Sequence, residues 1–192
     1  ENTTVSHYRL AVHLNLALIL FSAIFWYFLN IKANANKNFF SLKKENIFIQ
    51  ILIFMIFLQI TFGAFTSGLD AGKIYQTWPS MNNSFFPDDL SSGSLIFPEI
   101  FSEPSFVQFI HRILAYIIFL YVAYISIYIF YKKKLDLYNS VYFLIFMIFT
   151  QVVLGILTLI SGAHIVIASF HQISTIFLLI SSIYFYFKSS KS

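Results

Sequence analysis

Three histidines, His13, His111 and His171, stand inside long apolar stretches of this chain. Arg9 precedes His13 by four residues, which puts both on one face of a helix, and Arg112 follows His111 directly. Ionisable groups are costly inside a membrane and usually mark function where they persist. Imidazole nitrogen is a standard ligand for haem iron. With no cysteine in the chain, disulfides, thiolate metal sites and cysteine nucleophiles are excluded. The apolar stretches also contain no Asp or Glu. The chemistry on offer is therefore that of imidazole with guanidinium, not of paired carboxylates.

The elements that position these residues follow from composition. Of 192 residues, 58% are hydrophobic and 10% charged, against roughly 25% charged in an average soluble domain. Five stretches, at 9–31, 46–67, 105–131, 140–161 and 165–187, approach the ~20 residues that cross a bilayer. Unpaired backbone is not tolerated in lipid, so each is expected to be a helix. The alternation of a barrel strand is absent, since IFIQILIFMIFLQI (47–60) is apolar on every face. The fold class is an all-α integral membrane protein.

Charge placement orients it. Lys32, Lys37, Lys43, Lys44, Lys132, Lys133, Lys134, Lys188 and Lys191 fall in segments on one side, leaving Lys73 on the other. The positive-inside rule makes the first side cytoplasmic, with the N-terminus outside and the C-terminus inside. The net charge of +4 therefore reads as membrane flanks; no nucleic-acid partner is expected. The long outer segment 68–104 carries Trp78, Phe85, Phe86, Ile96, Phe97, Ile100 and Phe101. It is expected to lie on the membrane surface as an ordered lid with short interfacial helices. The chain opens on Glu1 without a signal-peptide pattern, so an N-terminal truncation is expected.

A repeat emerges once the stretches are marked. Gln59-x-x-x-Gly63-x-x-Thr66 closes the second stretch and Gln151-x-x-x-Gly155-x-x-Thr158 the fourth; the following stretches carry His111-Arg112-Ile113 and His171-Gln172-Ile173. One helical hairpin thus occurs twice, giving a four-helix bundle with pseudo-two-fold symmetry. His111 and His171 sit about six residues into their stretches, roughly 9 Å at 1.5 Å per residue, and His13 is about one turn in. Two imidazoles at equal depth on helices related by the repeat suit the two axial positions of a haem. Gly63 and Gly155 would leave room for a flat macrocycle, or simply for close helix packing. Arg9 and Arg112 would bind propionates, or snorkel to headgroups. His7 and His164 fall at stretch boundaries and read as surface histidines.

These residues resemble a known family. VSHYRLAVHL (5–14) resembles the fourth helix of haem A synthases of the proteobacterial and mitochondrial branch, GLDAGKIYQTWPSM (68–81) their outer-loop signature, and FVQFIHRILAY (106–116) their sixth helix. QVVLGILTLISG (151–162) and ASFHQISTIFLL (168–179) resemble the seventh and eighth. The resemblance runs from about residue 5 to 180, and the combination of GLDAG, TWP and the two histidine helices is specific. The chain departs from the family loop at Gln76 and Ser80, where Asn and Leu are usual, and it lacks the outer-loop cysteine pairs of Gram-positive members.

The resemblance implies an eight-helix enzyme of the bacterial inner membrane made of two four-helix bundles. Residues 1–44 would supply the last helix of the substrate bundle and a cytoplasmic linker, and residues 45–192 the C-terminal bundle. It implies haem b held by His111 and His171, with Arg112, Gly63 and Gly155 around it. His13, with Arg9, would face the iron of the substrate, haem O, whose C8 methyl is oxidised stepwise to a formyl group. Electrons would leave through haem b. The catalytic glutamate of the family has no counterpart in this sequence, so this piece alone is expected to be inactive. A haem O synthase, a respiratory-chain electron acceptor and a second copy of the chain are the other partners to consider, besides the lipid bilayer. Residue types alone leave a second reading open, a di-haem membrane cytochrome that only relays electrons. A transporter built of repeated hairpins ranks last, because the mid-membrane region is nearly free of polar groups.

Overall fold

The computed structural model describes residues 6–41, 44–90 and 97–190, with the backbone alone for 44 and 45. Lys43, Ile96 and Lys191, three residues of the charge and loop readings, lie outside the described residues, as does the Lys44 side chain. Among the described residues the protein is all helical: α1 (His7–Lys32), α2 (Lys44–Gly68), α3 (Pro104–Tyr131), α4 (Tyr138–Ile160) and α5 (Ile165–Ser189). Each is long and apolar enough to cross a membrane. The ends move by a residue or two from the apolar stretches. Because α2 starts at Lys44, Glu45 falls in its first turn.

Local chemistry sets several helix ends. Pro104 opens α3, where its missing N–H is no loss. Past α4, Gly162 and Ala163 turn left-handed (φ 68° and 59°). Their amides cap Leu159 O (3.1 Å) and Thr158 O (2.8 Å). That tight reversal lays α5 against α4 as the second hairpin. The first hairpin pairs α2 with α3 and carries the long outer loop in place of a turn. Both repeat threonines return their hydroxyls to a carbonyl four residues back, Thr66 to Phe62 and Thr158 to Leu154.

The two hairpins close into one bundle whose apolar core fills the half away from the long loop. Leu52, Ile56, Ile118, Val122, Leu144, Leu179 and Ile183 are buried there. Helix α1 packs outside the bundle along α2 and α5, burying Ala11, Leu18, Ser22, Trp26 and Leu29. It is fastened at both ends. Near its N-terminal end, Asn15 Nδ2 donates to Thr61 Oγ1 at 3.1 Å, and His7 meets Phe65 edge to face at 5.2 Å. Toward its C-terminal end Trp26 stacks on Tyr186 (5.0 Å), and its indole donates to Lys37 O (3.1 Å). Lys37 Nζ in turn donates to Phe187 O (2.8 Å) and Ser190 O, capping the C-terminal end of α5. Burial, and then the charge of Lys188, lower the Lys37 pKa.

The outer loop has a frame of its own. Ala71, Tyr75 and Met81 are buried, and two short 3-10 helices, Ala71–Lys73 and Glu99–Ser102, lie along it. Gln108 Nε2 donates to Tyr75 O at 3.0 Å. The Tyr75 hydroxyl lies 2.5 Å from an Asp88 oxygen and 2.7 Å from one of Asp89, and Ser105 Oγ donates to Asp89. Burial and those two carboxylates push the Tyr75 hydroxyl pKa far up.

Candidate functional site

His111 and His171 occupy matching seats. Each stands seven or six residues from its helix start, at Pro104 and Ile165, and His13 stands six from His7. Counted from their helix starts, the three histidines stand at similar positions. Across the hairpin, the imidazole edge lies over the repeat glycine. A Cβ on Gly63 would stand 3.1 Å from His111 Cε1, and one on Gly155 would stand 3.2 Å from His171 Cε1. Beside each glycine the space holds the ring of the repeat histidine.

One turn from each glycine lies the repeat glutamine, on the same helix face. Gln59 Nε2 donates to His111 O at 3.0 Å and stands 3.4 Å from His111 Nε2. The Gln151 carboxamide lies 2.8 Å from His171 Nδ1 and 2.6 Å from Thr175 Oγ1. The two seats differ in one respect. His111 Nδ1 and Gln59 Oε1 are both buried without a partner. Ala115 stands where the second hairpin has Thr175.

Arg112 points elsewhere. Its guanidinium donates to Tyr75 O (2.7 Å), Thr77 O (2.9 Å) and Ser80 O (3.2 Å). These carbonyls belong to the GLDAGKIYQTWPSM segment, so the arginine clamps the loop over the end of the bundle. Its buried Nε has no partner. On the second hairpin, the turn at Gly162 rests against the Gln76 side chain (3.3 Å from an added Cβ). The loop thus bridges the outer ends of both hairpins.

Arg9 and His13 share a shallow groove with Tyr8, Val12 and Leu16 on the face of α1 opposite Ala11 and Leu18. Both are exposed and turned away from the bundle. The structure therefore seats His111 against Gly63 and His171 against Gly155, and puts Arg9 and His13 together elsewhere. His7 corrects the sequence reading. It is partly buried against Phe65 and Tyr8, its Nε2 lies inside without a partner, and the backbone of Gly68 abuts it. Its place at the edge of the first apolar stretch made it read as a surface histidine. His164 is exposed, as expected. Reasoning from sequence marked Gln59 and Gln151 as members of the repeat without giving them work; their spacing of four from each glycine was the available signal.

With the geometry in place, comparison with known proteins identifies the class. Residues 1–183 match the family model described as cytochrome oxidase assembly protein, and the chain belongs to that family. Among individual proteins, it is 44% identical over 190 residues to the haem A synthase of Pelagibacter ubique, covering 99% of this chain and 55% of that protein. It is 36% identical to the haem A synthase of Rickettsia prowazekii (99% and 57% covered) and 36% identical to that of Wolbachia pipientis (94% and 50%). The chain thus spans about half the length of the curated relatives it matches.

Proposed function

We propose that the chain is the C-terminal half of a haem A synthase, with a b-type haem held in α2–α5 between His111 and His171. The observation that carries this reading is the doubled seat, one histidine against one glycine and one glutamine on each hairpin. The residues fit the group. Two imidazoles stand at matching positions of the repeat, and His111 Nδ1 and Gln59 Oε1 remain buried without partners, as a site whose ring settles on ligation would leave them. Among the described residues no three His, Asp or Glu side chains converge, so a bare ion would find too few ligands, whereas a macrocycle brings its own. Bound there, haem b supplies a one-electron relay.

The chain's own residues then divide the work. His111 and His171 offer a nitrogen from each side, Gly63 and Gly155 let the rings sit against the opposite helix, and Arg112 holds the outer loop across the entrance. Arg9 and His13, on the far face of α1, serve haem O in the other half of the enzyme, where its C8 methyl is oxidised to a formyl group. Proton handling in an apolar site calls for a tuned carboxylate, and the five spans away from their ends contain none. That group belongs to the other half, so residues 1–192 alone bind haem without making haem A. The N-terminal end faces outward across a bacterial inner membrane. A haem O synthase, a respiratory-chain acceptor and a second copy of the chain are partners of the whole enzyme.

The test is spectral. Residues 1–192 in detergent with ferric protoporphyrin IX should give a low-spin bis-histidine spectrum. His111→Ala and His171→Ala should each lose it, and His164→Ala should keep it; ligand variants with unaltered spectra would end the reading. With the upstream half supplied, haem A formation should appear and His13→Ala should abolish it while sparing the bis-histidine spectrum. A di-haem relay would make no haem A under any of these conditions.

A further inference from the structure

We infer that Gln59 and Gln151 are positioning residues, each accepting the Nδ1 proton of one imidazole so that Nε2 is the nitrogen offered to iron. This rests on the bis-histidine reading above. An imidazole that gives a lone pair from one nitrogen keeps its proton on the other, and a buried N–H needs an acceptor.

On the second hairpin the Gln151 carboxamide lies 2.8 Å from His171 Nδ1. The orientation its surroundings favour turns the amide nitrogen to Nδ1, His171 O and Ser174 Oγ, while its oxygen accepts from Thr175 Oγ1 and the Thr175 backbone N–H. That arrangement suits an imidazole protonated on Nε2. Ligation through Nε2 moves the proton to Nδ1, and the amide turned over then presents its oxygen to receive it while its nitrogen donates to Thr175 Oγ1. On the first hairpin the two orphaned atoms, His111 Nδ1 and Gln59 Oε1, are a donor site and an acceptor. A hydrogen bond between them would satisfy both; in the structure it is His111 Nε2 that faces the amide, 3.4 Å away, so ligation through Nε2 would have to turn the ring from the glutamine. The glycine one turn on keeps each ring within reach of its glutamine. The recurrence of Gln, Gly and His in both hairpins is then the recurrence of one device: ligand, seat and acceptor.

Redox titration of the haem-loaded chain tests this with paired substitutions of opposite electronic effect. Gln59→Met and Gln151→Met remove the acceptor, make the imidazole a poorer electron donor and should raise the midpoint potential. They should also lower the affinity for ferric protoporphyrin IX about tenfold to a hundredfold, the usual cost of losing such an outer partner. Gln59→Glu and Gln151→Glu supply a stronger acceptor and should lower the potential, with the low-spin spectrum retained in all four. Gln50→Met, which removes an equally hydrogen-bonded glutamine at the inner end, should leave the potential where it was. Either kind of substitution decides the matter if the other fails to fold. Potentials unchanged, or shifted the same way by Met and Glu, would overturn the assignment while leaving the bis-histidine site intact. A wild-type chain that takes up no haem would overturn both.

Discussion

Gly68, at the outer end of α2, touches the backbone of His7 at the start of α1: a Cβ added there would lie 2.8 Å from His7 Cβ and 2.9 Å from its Cα. Removing a glycine from a helix ordinarily gains about 0.5–1 kcal/mol, whereas forcing atoms into a filled space costs about 1–3 kcal/mol. The clash should win. Gly68→Ala is expected to lower the thermal midpoint of the chain. Gly72→Ala, whose new methyl would meet Ala163 at an ordinary 3.5 Å, should not. Thermal unfolding in detergent compares the two, and equal midpoints would refute the close-approach argument.

A second pair of glycines should behave alike because the repeat makes them alike. Gly63→Ala and Gly155→Ala bring a methyl to 3.1 and 3.2 Å from an imidazole carbon, and each ring is also held by its glutamine. Both substitutions are expected to weaken haem uptake about tenfold or more, the scale of a disturbed ligand shell. Absorbance titration with ferric protoporphyrin IX measures this. Normal uptake by both variants would show that the rings move aside freely.

Arg112 should matter for the loop more than for the histidine beside it. Its fork reaches three carbonyls, a geometry that the single ammonium of lysine cannot reproduce. Hydrogen bonds from a charged donor contribute about 1.5–3 kcal/mol. Arg112→Lys is expected to expose the loop to protease several-fold faster while the bis-histidine spectrum persists. Loss of the spectrum with an unchanged loop would instead favour a direct contact of Arg112 with propionate.

The same loop should be acid-sensitive. Burial works against the Asp89 charge, but hydrogen bonds from Ser105 and Tyr75 outweigh it and hold the carboxyl pKa below its usual value. A depressed folded pKa stabilises the loop above the unfolded carboxylate value, near 3.9, and that support drains away as pH falls through the folded pKa. Protease resistance of the loop should therefore be flat from neutral pH to about 5 and decline below the ordinary aspartate range. Asp89→Asn should flatten the decline, and a loop equally sensitive in both proteins would disprove the assignment.

Much of this architecture was legible in the residues. Apolar runs such as 47–60 admit only a spanning helix, and the doubled Gln-Gly-His spacing placed His111 and His171 on facing hairpins. The orientation of Arg112 was not legible, because its partners are backbone carbonyls some 35 positions away whose location depends on how a loop folds over two hairpin ends. His7 was misread for a similar reason. Its burial comes from Phe65 and Gly68 on another helix, and nothing in its own neighbourhood announces them. The glutamines were visible as a pattern, but an amide's task depends on which way it is turned, and packing decides that.

Fastening α1 at both ends has a mechanical consequence. Trp26 on Tyr186, Lys37 on the end of α5 and His7 against Phe65 oppose sliding and tilting of the helix relative to the bundle. They tie the exposed face that carries Arg9 and His13 to the bundle that carries His111 and His171.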